Sequence, residues 1–379
     1  MHDSRVFRTN QRWALAVCAG GIVLCGLLSW DDPDRLWRAY LFAFIACWLV
    51  VMGATGLLAL GNATGGRWTE ACRPFYLALA QTFPLVAVLF IPVAMNLRQI
   101  FPWAAEATRD EQLFSSGKAA YLEPRFFLGR AIAYFVVWAI VVGLLSWFSR
   151  LRTLQADSPG MRRVGALSLV LLVPTVTFAA FDWGMSLEPE WYSSIYGAIL
   201  TAGGVLAAHA LAICGLAITA HSNESRDGEL FNDVGNLLLA FLMVFTYFAF
   251  SQFLIIWSGN LPAEITWYAR RLGDGWQWLA VAIVVFHYFV PFLMLLSRDL
   301  KRTPRRLAGV AVLLAVMYAA HVYWTIVPAF ADSGVVWQAT NVAALAALGG
   351  GLLAAFFWHA QRLIATADRK LASSDSSME

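Results

Sequence analysis

The chain has 379 residues, of which 60% are apolar and 13% charged, about half the charged share of an ordinary soluble domain. A soluble fold of this length needs far more polar surface, and a net charge of +3 gives no footing for nucleic acid. Cys18, Cys25, Cys47, Cys72 and Cys214 form no CxxC or CxxCH, so a covalent c-type haem, an iron–sulfur ligand set and a disulfide framework are not expected.

Apolar runs of about 20 residues, the length that crosses a bilayer as a helix, recur along the chain. Ten are counted: Trp13–Trp30, Leu36–Leu60, Phe75–Met95, Phe126–Phe148, Val164–Met185, Ser194–Thr219, Val234–Ile256, Trp276–Leu296, Leu307–Val327 and Val342–Ile364. The fold class is therefore an all-α polytopic membrane protein. One transmembrane domain covers residues 1–365, and a polar, Ser-rich tail at 366–379 is expected to fray. The first run follows Arg5, Arg8 and Arg12 as a signal peptide does, but it ends in LLSWDDP without a small-x-small cleavage site and reads as a retained helix. Two connectors have room for structure. Asn96–Arg125 mixes charges with Phe101, Pro102, Trp103 and Tyr121, which predicts a helical or interfacial cap. Ser258–Gly275 carries Pro262, Glu264 and the adjacent Arg270 and Arg271. With both termini inside, about two-thirds of the 27 basic residues fall on the cytoplasmic side, and the connectors at 186–193 and 328–341 have none.

The most unusual stretch is FDWGMSLEPEWYSSIYG at Phe181–Gly197, where Asp182, Glu188 and Glu190 lie among Trp183, Trp191, Tyr192 and Tyr196. Acids among aromatics at the edge of an apolar run fit an interfacial belt, and an ionisable group at membrane depth is also a functional candidate. Other polar residues fall within spans: Gln81 and Thr82 before Pro84, Arg130, Tyr247, Ser251, Gln252, His209, His287, His321 and His359. Three readings compete for the histidines. Metal or haem ligation lacks any i, i+3 or i+4 pair of His or acid. A proton relay or quinone site would use imidazoles that titrate near neutrality. Structural hydrogen bonds to neighbouring helices are ordinary in bundles. Arg130 and Asp182 sit at similar depth on adjacent spans, as a structural ion pair or as part of an anionic or quinone-like site. Gly203 and Gly204, and Gly349 to Gly351, permit close backbone approach. Pro84, Pro92, Pro174 and Pro291 predict kinks or freed carbonyls.

Several stretches together carry a family resemblance. Phe181–Gly197 resembles a signature of the F subunit of bacterial alternative complex III, the quinol:cytochrome c oxidoreductase quinone-binding subunit 2. KAAYLEPRFFLGRAIAYFVVW at Lys118–Trp138 is similar to that family's YLN-x-x-FF-x-x-R pattern. FAFSQFLIIWSGNLPAEITWYARR at Phe248–Arg271, FHYFVPFLMLLSRDLKR at Phe286–Arg302 and YWTIVPAF at Tyr323–Phe330 match further parts. The resemblance implies an NrfD/PsrC-like architecture of two four-helix bundles, spans two to five and six to nine, with spans one and ten peripheral. It implies a bacterial inner-membrane subunit, for which the basic-residue bias and the even span count place both termini on the cytoplasmic side. Its partners would be a homologous quinol-oxidising membrane subunit, iron–sulfur and c-type haem subunits, and the lipid bilayer. Two positions depart from the pattern. Glu123 replaces the Asn of YLN, and His321 stands where an acid is expected.

The leading expectation is a subunit without its own redox cofactor or metal that scaffolds the complex and conducts protons through Asp182, His209, His287 and His321. The alternative is a quinone-binding subunit with its own site at Arg130, Asp182, Tyr196 and Gln252, a quinone being the cofactor left open. A small-molecule transporter is the third reading, for which no inverted repeat is visible. No residue is assigned as catalytic.

Overall fold

The computed structural model describes residues 2–105, 116–151, 159–220, 224–330 and 338–375. The middle of the 96–125 connector, most of the 328–341 connector and the last four residues of the tail lie outside the described residues. So do the side chains of Arg150, Arg152, Arg226, Arg369 and Lys370, which entered the charge comparison.

Inside a bilayer no water is present to bond the backbone, so apolar runs close their hydrogen bonds within themselves as helices. Among the described residues ten helices are long and apolar enough to span: Arg5–Leu28, Pro33–Thr64, Arg67–Met95, Pro124–Ser149, Pro159–Leu187, Tyr196–Thr219, Gly228–Gly259, Trp276–Leu296, Pro304–Phe330 and Ala339–Thr366. Each coincides with one of the ten sequence-predicted runs. The chain is an all-α, multi-pass membrane protein.

Spans two to five pack as one group and spans six to nine as another. The second span is the most enclosed, with nearly all of its central stretch buried. It touches the third and fifth spans on one side and the sixth and tenth on the other, so the seam between the groups runs along it. That seam needs glycine on both sides. A Cβ at Gly53 would lie 2.5 Å from the Gly204 carbonyl, and one at Gly204 would overlap the Leu49 carbonyl. The first and tenth spans form a peripheral pair. Gly350 of the tenth lies against the backbone of Ala14 and Cys18, and the tenth span leans on the second and third.

Two spans are irregular near mid-depth. The third divides into Arg67–Ala80 and Phe83–Met95 at Gln81 and Thr82, just ahead of Pro84. The Thr82 hydroxyl donates to the Leu79 carbonyl at 2.6 Å. The eighth contains a π-helical turn at Val284–Phe289, ahead of Pro291. Pro92 and Pro174 lie within helices that continue through them, because a missing N–H alone bends a helix without ending it. The tail also differs from expectation. The last helix is continuous to Asp375, since the residues after 365 include Ala, Arg, Lys and Leu without Pro or Gly.

The two long connectors are helical where described, at Leu97–Ile100, Pro102–Ala104 and Ser116–Tyr121, and at Pro262–Leu272. Phe101, Trp103 and Phe127 pack ring against ring over the first group, and the Trp103 indole donates to Ser186 at 3.2 Å. Glu123 accepts from the backbone N–H of Phe126 at 2.9 Å, so it caps the fourth span as an Asn would.

Overpacking the seam is expected to destabilise the fold by about 1–3 kcal/mol or more. Gly204→Val should lower the thermal unfolding midpoint in detergent, whereas Gly143→Val, whose Cβ meets nothing within 4 Å, should leave it nearly unchanged.

Candidate functional site

The Phe181–Gly197 stretch closes the fifth span and opens the sixth, and thus joins the two helix groups. At one end of it, Asp182 is fully buried and pairs with Arg130 of the fourth span through two parallel bonds, Nη2 to Oδ1 at 2.9 Å and Nε to Oδ2 at 3.0 Å. The Tyr134 hydroxyl donates to the same carboxylate at 3.0 Å, and Arg130 Nη1 donates to the Tyr121 carbonyl at 2.8 Å. The guanidinium lies 3.8 Å from the Tyr121 ring centroid and 4.5 Å from that of Phe126. Charge neutralisation, a bidentate fork and flanking aromatic faces are what allow an arginine to remain charged in an apolar setting. The Tyr121 phenol is held well above its usual range by burial, with the Asp182 charge adding to it.

Six residues on, Glu188 makes the matching contact with the second group. Arg271, at the end of the Pro262–Leu272 helix, is buried and reaches Glu188 at 2.6 Å, the Thr325 carbonyl at 2.8 Å and the Trp267 carbonyl at 3.0 Å. Its guanidinium lies over the Trp267 ring at 3.8 Å. Burial pulls the Arg271 guanidinium below its usual range, and the adjacent Glu188 charge opposes that shift. The exposed Arg270 adds a longer contact to Glu188 at 3.3 Å. Trp191 stacks on Trp267 at 5.0 Å and donates to the Glu264 carbonyl, which fixes the connector to this helix.

Gln252 and Tyr196 belong to the same anchoring. Gln252 accepts from Ser193 at 2.9 Å and donates to the Tyr268 hydroxyl at 3.4 Å. Burial pushes the Tyr268 phenol up to about 12. Tyr196 is buried with its ring edge-on to Trp191 at 5.9 Å. Among the described residues, no hydrogen bond or ion pair joins Arg130 and Asp182 to Gln252 or Tyr196. The four residues grouped as quinone candidates thus occupy two separate networks.

The histidines divide in a similar way. His209 on the sixth span has both ring nitrogens occupied. Its Nε2 lies 3.1 Å from the Val234 carbonyl, which only accepts, so Nε2 carries the proton and Nδ1 accepts from the Tyr76 hydroxyl at 2.5 Å. His287 and His321, on the eighth and ninth spans, meet with ring centroids 6.3 Å apart. The Phe245 ring of the seventh span packs on both, at 4.7 Å and 4.9 Å. His287 is fully buried and neither of its ring nitrogens has a hydrogen-bond partner; Nδ1 of His321 has none either. Buried polar atoms are nearly always bonded, so three unsatisfied nitrogens on two neighbouring rings call for a physical account. The π-turn that carries His287 belongs to a class of irregularity concentrated at functional sites.

Sequence reasoning brought together Arg130 with Asp182 and named His287 and His321 without pairing them. It left out Arg271, whose signal was two adjacent arginines facing a connector that has acids and no bases. It also left out Tyr76, Tyr134 and Phe245, which spacing alone does not distinguish from other aromatic residues of a span. A comparison with protein-family models finds none that matches this chain, and a comparison with curated proteins finds no match either.

Removing one member of a buried ion pair strands the other charge, at a cost of about 3–5 kcal/mol. Asp182→Leu is expected to destabilise the protein by that order, and the double variant Arg130→Met with Asp182→Leu to recover most of the loss. Unfolding midpoints of the three proteins in one detergent measure this, and equal loss in the single and double variants would contradict a coupled pair.

Proposed function

We propose that this chain is a membrane subunit of a quinol-oxidising respiratory complex of the alternative-complex-III type, with no redox centre of its own. It scaffolds the complex and exchanges protons through the His287–His321 pair. The quoted motifs at Lys118–Trp138, Phe181–Gly197, Phe248–Arg271, Phe286–Arg302 and Tyr323–Phe330 support the kinship. On this reading both termini lie on the cytoplasmic side of a bacterial inner membrane. The partners are a homologous quinol-oxidising subunit together with iron–sulfur and c-type haem polypeptides.

The observation that carries the proton role is the pair of buried imidazoles within an apolar bundle, with both nitrogens of His287 and Nδ1 of His321 unbonded. An imidazole can release a proton from one nitrogen while the other takes one up, which requires nitrogens not already held by fixed partners. His209 is held at both nitrogens, and Asp182 is occupied by Arg130 and Tyr134. These two, counted among the proton-path candidates, act as structural members on this reading, and the exchanging groups reduce to His287 and His321. The quinone-site reading draws less support, because Arg130, Asp182 and Gln252 already bond to protein groups.

Affinity purification in mild detergent, read by mass spectrometry and a reduced-minus-oxidised haem spectrum, tests the kinship. Iron–sulfur and c-type haem polypeptides are expected to co-purify, and a lone, spectrally silent chain would overturn the assignment. For the proton role, complexes carrying His287→Phe or His321→Phe should retain quinol oxidation and lose proton translocation in reconstituted vesicles. Unchanged proton stoichiometry in both would remove the role from the pair.

A further inference from the structure

The same two histidines have a second chemical property that does not depend on the proton reading. Both imidazoles are buried, they come from different helices, and their ring centroids lie 6.3 Å apart. A metal ion sits about 2 Å from an imidazole nitrogen, and the ring centre is roughly 1 Å further, so a linear bis-imidazole site places the two centroids about 6 Å apart. The nitrogens that such a site needs are those without partners, both of His287 and Nδ1 of His321. No group of three His, Cys, Asp or Glu side chains surrounds this spot or any other among the described residues. A hard or strongly charged ion, which requires oxygen donors or four ligands, is therefore poorly matched.

We infer that His287 and His321 form a binding site for a single monovalent copper ion. Three observations favour that ion. Imidazole is a good copper ligand, and a d10 monovalent ion tolerates as few as two neutral donors. The Born cost of burying an ion rises with the square of its charge, so a single charge is the least costly in this apolar position. Phe245, packed on both rings, contributes the electron-rich ring that a desolvated cation prefers. Arg271 bonds the Thr325 carbonyl one turn beyond His321, and Glu188 neutralises it. Resting on the proton role proposed above, a bound ion would occupy the exchanging nitrogens and plug the relay.

The test is anaerobic titration of the intact purified protein, with whatever partners accompany it, using Cu(I) against a chromogenic Cu(I) chelator, followed by X-ray absorption. One equivalent is expected to be withheld from the chelator with nitrogen scatterers about 2 Å from copper. His287→Phe and His321→Phe should each lose that equivalent, and His359→Gln should keep it. His321→Met, which exchanges one soft donor for another, should also keep it, so the inference stays testable if a Phe variant fails to fold. The five free cysteines are the competing donors. Copper retained in the His287→Phe/His321→Phe double variant, or sulfur-only scattering, would overturn the site. Tighter binding of Zn(II) than of Cu(I) would overturn the monovalent assignment.

Discussion

Two arginine–carboxylate pairs on one short connector determine how the two helix groups of this protein meet. Asp182 is bonded to Arg130 in the first group, and Glu188 to Arg271 beside the second. Each carboxylate is buried or nearly so, and each arginine lies against an aromatic face. In such surroundings an unmatched charge is far more costly than the pair is favourable, so the pairing works mainly as a constraint. A slip of the connector by one residue would separate both pairs at once. The acids read from sequence as headgroup-facing belt residues are thus fasteners, one to each group.

The second constraint is steric. A seam between two bundles inside a membrane gains nothing from expelling water, so close packing has to provide the adhesion. Gly53 and Gly204 let two backbones meet where any side chain would intervene. The enclosed second span then serves as the wall shared by both groups, and the first and tenth spans attach outside it. Among the described residues, the Gln81–Thr82 break and the π-turn around His287 interrupt spans away from their ends.

The buried histidines differ among themselves in how their nitrogens are held. His209 is satisfied at both nitrogens by Tyr76 and Val234, as packing histidines usually are. His287 and His321 are buried to a similar degree and have unsatisfied nitrogens instead. The contrast matters because the three imidazoles are alike in chemistry and burial. Proton exchange and soft-cation binding both require free lone pairs, which His287 and His321 have and His209 lacks.

The sequence by itself determined the class, the ten spans, the cap over the Asn96–Arg125 connector where it is described, and the close approach at Gly204 and Gly350. Hydrophobic length and glycine tolerance are local properties, and a bilayer translates them almost directly into helices. It also made Arg130 and Asp182 plausible partners, since charges at equal depth on consecutive spans have few other places to go. Only the tertiary structure decided that Arg271 answers Glu188, that Gln252 holds Ser193 instead of facing an open site, and that His287 meets His321 beneath Phe245. Those contacts join side chains 34 to 83 residues apart in the chain. The rotation of each helix about its axis selects them, and in a span apolar on all sides the sequence carries almost no signal of that rotation.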